Sequence, residues 1–81
     1  MIFPVQISAA RVLLGMSQIE LAKRASVGIG TVKRIEAERD KPAGTMRTIS
    51  KIQRALEAAG IVFIEQDDVQ GPGVRLRAPF P

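Results

Sequence analysis

The chain has 81 residues and a mass of 8.8 kDa, enough for one small domain but not for a second domain or a deep substrate cavity. Cys, His, Trp and Tyr are all absent. Their absence removes disulfides, thiolate metal sites, thiol nucleophiles, and the commonest general base and transition-metal ligand. Lys and Arg number 12 against 8 Asp and Glu, for a net charge of +4.

That surplus sits in the first three quarters of the chain. Residues 1–60 hold ten cations against five anions, and residues 61–81 hold two against three. A basic body favours a polyanionic partner, with nucleic acid first and a membrane surface second. Hydrophobic residues at 46% and charged residues at 25% exclude disorder as a description of the whole chain. No apolar run is long enough to cross a bilayer. The opening Met1-Ile2-Phe3-Pro4 lacks the basic and apolar regions of a signal peptide. With no Cys to oxidise, a cytoplasmic location is expected.

The expected fold is mainly α. Pro4 suits the first turn of a helix, Ile7, Ala10, Leu13 and Leu14 recur at helical spacing, and Gly15 suits a left-handed stop. Ser17-x-x-Glu20 predicts a capping box opening a second helix that ends near Arg24 or Ala25. A third helix begins after Val27 and stops around Ala37–Arg39, with Val32 and Ile35 inward. The fourth is capped by Thr45, carries Met46, Ile49, Ile52 and Leu56 on one stripe, and ends at Gly60. Val12, Leu13, Leu21, Val32, Ile35, Ile49, Ile52 and Leu56 are the expected core. Ile61–Ile64 then reads as a strand, Asp67–Pro72 as a turn, and Val74–Arg77 as a half-exposed second strand. The Asp67-Asp68 pair lacks the wider oxygen-ligand spacing of a cation site. Gly71-Pro72-Gly73 lacks the context of a phosphate loop.

Ser17 to Ala37 carries the function. Leu21, Ala22, Val27, Val32 and Ile35 are spaced as the small core where two helices cross, Ala22 being small where the second helix passes. This is a helix-turn-helix skeleton, whose second helix enters the major groove. Gly15-Met16-Ser17-Gln18 leading into Leu21-Ala22, followed by Thr31-Val32-Lys33-Arg34-Ile35-Glu36, resembles the Cro and phage-repressor helix-turn-helix family, also called XRE. The resemblance covers about residues 6–59. It implies a lambda-repressor-like bundle of four to five short helices, with a C-terminal strand or hairpin appended. It divides the chain into a DNA-binding domain at 1–60 and a β-type tail at 61–81.

The resemblance also implies roles. Gln18 matches a position that contacts phosphate and braces the recognition helix. Ile29, Gly30, Thr31, Lys33 and Arg34 occupy the first turns of that helix, about residues 28–37. Chemically, Arg34 can grip a guanine edge, Lys33 can reach a base or a phosphate, and Ile29 can touch a thymine methyl. Thr31 can serve a base, a phosphate or the helix cap. Arg39, Lys41 and Thr45 match positions that contact the backbone of the same half-site. Arg11 and Glu36 match a structural ion pair between the first and third helices. Glycine at 28 and 30 departs from the family pattern of a capping Ser or Thr and a polar residue. It leaves direct readout to Lys33 and Arg34, with DNA shape or a close backbone approach to phosphate as the supplement.

The function implied is a sequence-specific DNA-binding regulator, a repressor acting as a homodimer on a short palindrome, with no cofactor and no metal. Tail pairing through Ile61, Phe63 and Leu76 is expected to make the dimer, although the same residues permit an intramolecular hairpin over the core. The alternative is an antitoxin or anti-activator on this fold, with the tail docking a protein partner. An enzyme is not expected, because no nucleophile and base are spaced for catalysis.

Overall fold

The computed structural model describes residues 2–41 and 43–81. Met1 and Pro42 lie outside them. The elements are α1 (Pro4–Leu14), α2 (Gln18–Ala25), α3 (Ile29–Ala37), α4 (Met46–Ala58), β1 (Ile61–Ile64) and β2 (Gly73–Leu76).

Local chemistry sets the helix ends. Pro4 begins α1, where a missing N–H costs no helical bond. Gly15, at φ 65°, closes it by donating its N–H to the Arg11 and Val12 carbonyls. The Ser17 hydroxyl accepts the Glu20 N–H at 3.0 Å. The reciprocal half of the expected capping box does not form, because the Glu20 carboxylate pairs with Arg24 at 2.8 Å instead. Thr45 caps α4 by accepting the Thr48 N–H at 3.2 Å.

The helices enclose a core of Ile7, Ala10, Leu21, Ala22, Ala25, Val32, Ile35, Ile52 and Leu56, joined by Ile2, Met16 and Ile61. Three expectations need correction. Val12 is 71% exposed and Leu13 40%, because Ile7 and Ala10 set the buried face of α1 and these two fall beyond it. Met46 is 91% exposed. As the first residue of α4 it projects past the core that Ile52 and Leu56 fill, and Ile49 is only partly buried against it.

One bond joins the ends of α1 and α3. Arg39 takes the left-handed conformation at φ 57°, and its carbonyl accepts the Val5 N–H at 2.9 Å. That satisfies a first-turn donor that the helix itself leaves unpaired.

The tail folds back as an antiparallel hairpin, with Ile61 opposite Leu76 and Ile64 opposite Gly73. Its second strand starts and ends one residue earlier than the Val74–Arg77 expected from alternation. Ile61 is 1% exposed, and Phe63, Val74 and Leu76 pack against the same core. The side chains nominated for dimerisation therefore serve the protomer's own interior, Ile61 wholly and Phe63 and Leu76 in part. Asp67 orders the connection by accepting the N–H groups of Val69 and Gln70 at 2.8 and 2.7 Å. These bonds hold its carboxyl below the usual range and occupy one oxygen of the acidic pair.

Gln6, only 2% exposed, fastens the hairpin to α1. Its amide nitrogen donates to the Ile64 and Gly73 carbonyls at 3.1 and 3.0 Å. Its oxygen accepts the Phe3 N–H at 2.6 Å. Replacing Gln6 with Leu keeps volume but strands these groups, at a cost of roughly 1–3 kcal/mol. Thermal unfolding of Gln6→Leu should fall by about 4–8 °C for each kcal/mol lost. An unchanged melting temperature would show that the clamp contributes nothing.

Candidate nucleic-acid interface

Helices α2 and α3 are joined by Ser26-Val27-Gly28. Ser26 ends α2 at φ 57°. The Val27 N–H donates to the Ala22 carbonyl at 3.0 Å, and the Val27 side chain packs against the core. Ala22 is 4% exposed beside it. Gly28 is the N-cap of α3 and offers no side-chain bond. Thr31 forms none with the cap either, leaving backbone bonds from the Thr31 and Val32 N–H groups to the Gly28 carbonyl.

Val32 and Ile35 bury one side of α3. Lys33 and Arg34 lie on the exposed side and make no ion pair or hydrogen bond among the described residues. Ile29 is 36% exposed, Thr31 is half-buried, and Gly30 is exposed. A Cβ built on Gly30 would meet nothing within 4 Å, and its backbone is ordinary helix. The fold does not require glycine there. Arg39 and Lys41 are exposed on the segment between α3 and α4, and Thr45 ends that segment as the cap of α4.

The orientation of α3 is set by Glu36. Arg11 grips its carboxylate with two bonds of 2.9 Å, from Nε to Oε2 and from Nη2 to Oε1. Ser8 Oγ donates to Oε1 at 2.9 Å and the Gln18 amide donates to Oε1 at 3.1 Å. The remaining Arg11 nitrogen, Nη1, donates to the Met16 carbonyl at 3.0 Å. One carboxylate on α3 thus ties α1 and α2 together. The side chains of Arg11 and Glu36 are 18% and 7% exposed.

Of the residues nominated from sequence, Gln18 is brought to Glu36 in the bracing role, and Arg11 and Glu36 form the expected pair. Ser8 and the Met16 carbonyl were not anticipated. Ser8 precedes Arg11 by three residues, so helical spacing places both on one face of α1.

Burial disfavours charge on Glu36, but the bonds from Arg11, Ser8 and Gln18 and the attraction of Arg11 outweigh it, so the carboxyl titrates below its ordinary value. The bonds that Arg11 donates to Glu36 raise Arg11 against its own desolvation. A carboxyl depressed on folding stabilises the native state above its unfolded value of 4.5. That contribution is lost as pH falls through the folded value. Stability should therefore decline on acidification below about pH 5, and this part of the decline should vanish in Glu36→Gln. Glu36→Ala, which leaves Arg11 buried without its partner, should cost roughly 3–5 kcal/mol. Denaturant titration at neutral and acidic pH checks both. A loss under 1 kcal/mol for the alanine variant would mean the pair behaves as an exposed one.

No curated protein sequence matches the chain. The family model described as helix-turn-helix matches residues 7–58, a span from the first turn of α1 to the last residue of α4. With more than half its length covered and every residue of the Glu36 network inside that span, the chain belongs to the Cro and phage-repressor (XRE) type of helix-turn-helix protein, a family of double-stranded-DNA-binding regulators.

Proposed function

We propose that the protein is a cytoplasmic transcriptional repressor that binds a short palindromic operator as a homodimer, each protomer placing α3 in the major groove of one half-site. The observation that carries this reading is the pair Lys33 and Arg34. They are two exposed cations without intramolecular partners, on a helix whose core face and angle are fixed by buried groups. Arg34 takes a guanine edge and Lys33 a neighbouring base or phosphate. Ile29 and Thr31 line the same end of the helix and supply apolar and hydroxyl contacts. Arg39, Lys41 and Thr45 take phosphates, while Gln18 holds Glu36 and reaches phosphate only with its remaining capacity.

Binding to the DNA upstream of the protein's own gene, against random DNA at two salt concentrations, tests the proposal. A strong preference for the upstream DNA with a twofold-symmetric footprint supports it. Weak binding without preference at physiological salt overturns it. In the same assay Arg34→Ala should lose about 1–3 kcal/mol of discrimination, and Lys41→Ala should weaken all DNA equally and flatten the salt dependence.

Gly30 gives a test with opposite signs in two measurements. Alanine fits the open space and should stabilise the helix by about 0.5–1 kcal/mol. If the bare backbone at Gly28–Gly30 lies close against DNA, the same Gly30→Ala change should weaken operator binding. A variant that is both more stable and equally tight would show that the glycine serves no contact.

A further inference from the structure

We infer that the outer edge of β2 docks an extended acidic segment of another protein, added antiparallel as a third strand, in which a carboxylate side chain lies between two apolar ones. No residue of α2 or α3 takes part, so this surface goes beyond the DNA-binding face.

Alternate residues of a strand turn their N–H and C=O groups to opposite sides. The Arg77 N–H donates to the Gly60 carbonyl at 2.7 Å. By that alternation Arg75 bonds inward to Val62 and Gly73 to Ile64, and Val74 and Leu76 turn their backbone groups away from β1. Among the described residues these outward groups have one partner, the Arg75 guanidinium, whose Nη1 donates to the Leu76 carbonyl at 3.2 Å. The edge is accessible. Val74 and Leu76 are only partly buried, and they line an open groove together with Leu13 of α1 and Phe80 near the C-terminus. An open edge with unpaired groups is a template for another strand.

The surrounding side chains select the strand. Val74 and Leu76 pack against the core, and α1 lies against β2. Residues of an added strand opposite Val74 and Leu76 share that face and meet Leu13, 40% exposed, and Phe80, 77% exposed. Those two positions suit apolar side chains, which cover a leucine that the protomer leaves open. Arg75 alternates to the other face and is exposed, as is Arg77 at the end of the edge. Neither makes an ion pair among the described residues, their bonds going to the carbonyls of Leu76 and Glu57. A residue opposite Arg75 forms a close, non-hydrogen-bonded pair with it, where opposite charge stabilises the sheet. Arg75 also guards the edge, since it must leave the Leu76 carbonyl before a strand can bond there. A facing carboxylate gives the guanidinium a stronger bond to move to, and a neutral or basic strand does not.

A second copy does not fit this edge. Pairing β2 with β2 puts Arg75 opposite Arg75 or Arg77, which repel, or Leu76 opposite Pro72, which has no N–H to give. Glu20, Glu36 and Glu57 are the carboxylates of this chain flanked by apolar residues on both sides, and all three lie within helices. The occupant is therefore an acidic strand of a different protein.

Fluorescence anisotropy of the full chain with a short labelled peptide alternating valine and glutamate tests this. The peptide should bind about tenfold or more tighter than its valine–glutamine counterpart. Arg75→Glu should reverse the preference, losing the glutamate peptide and gaining a valine–lysine one. Arg54→Glu, on the exposed side of α4, makes the same change of charge and should leave binding unchanged. N-methylation of the valine amides should abolish binding and N-methylation of the glutamate amides should not, because the residues facing Val74 and Leu76 turn their amides towards β2. Equal affinity for the acidic and neutral peptides, equal loss from Arg54→Glu and Arg75→Glu, or indifference to which amides are methylated overturns the proposal. Release of the peptide as the chain's own concentration rises gives the edge to a second copy and overturns it as well.

Discussion

A single buried carboxylate organises the packing of the first three helices. Glu36 sits on α3 with its side chain only 7% exposed, where an uncompensated charge would cost several kcal/mol. The cost is met by Arg11, Ser8 and Gln18, which come from two other helices. Three helices must therefore hold one geometry for the charge to be satisfied, and the recognition helix inherits its angle from that requirement. The arrangement also restricts the cations. Arg11 is neutralised internally, so the cations that remain exposed on α3 and the segment after it are Lys33, Arg34, Arg39 and Lys41.

Much of this was legible in the chain, for reasons that vary by element. The helix bounds follow from nearest-neighbour chemistry: Pro4, Ser17 and Thr45 at the starts, and Gly15 at a stop. The Arg11–Glu36 pair was legible only through resemblance, since nothing in a 25-residue separation announces a contact. Burial was the weaker inference. Val12, Leu13 and Met46 have core-like side chains at roughly helical spacing, but spacing does not say where the buried arc ends. Gln6 was invisible. A lone glutamine in a first turn reads as solvated, and the carbonyls it serves lie 58 and 67 residues away. Among the candidate DNA contacts, residue type was legible and burial agrees with it, but the pairing of each side chain with a base or phosphate is a property of the complex.

Gly28 and Gly30 stand apart from this logic. Both positions have negative φ and room for a Cβ, so neither turn geometry nor packing selects glycine. In a helix of nine residues the loss of propensity at Gly30 is a real cost, about 1 kcal/mol against alanine. At Gly28 glycine is an acceptable helix cap, so the conflict between local choice and fold is confined to Gly30.

Helix α1 connects the two surfaces. Ser8 and Arg11 hold α3 through Glu36, and Gln6, on the same eleven-residue helix, holds the hairpin through the Ile64 and Gly73 carbonyls. The hairpin is also set into the common core by Ile61. Helix α3 and the hairpin are therefore both held to one helix by side-chain hydrogen bonds. The tail is thus more than an appendage: the side chains of Ile61, Phe63, Val74 and Leu76 complete the core that the four helices leave unfinished.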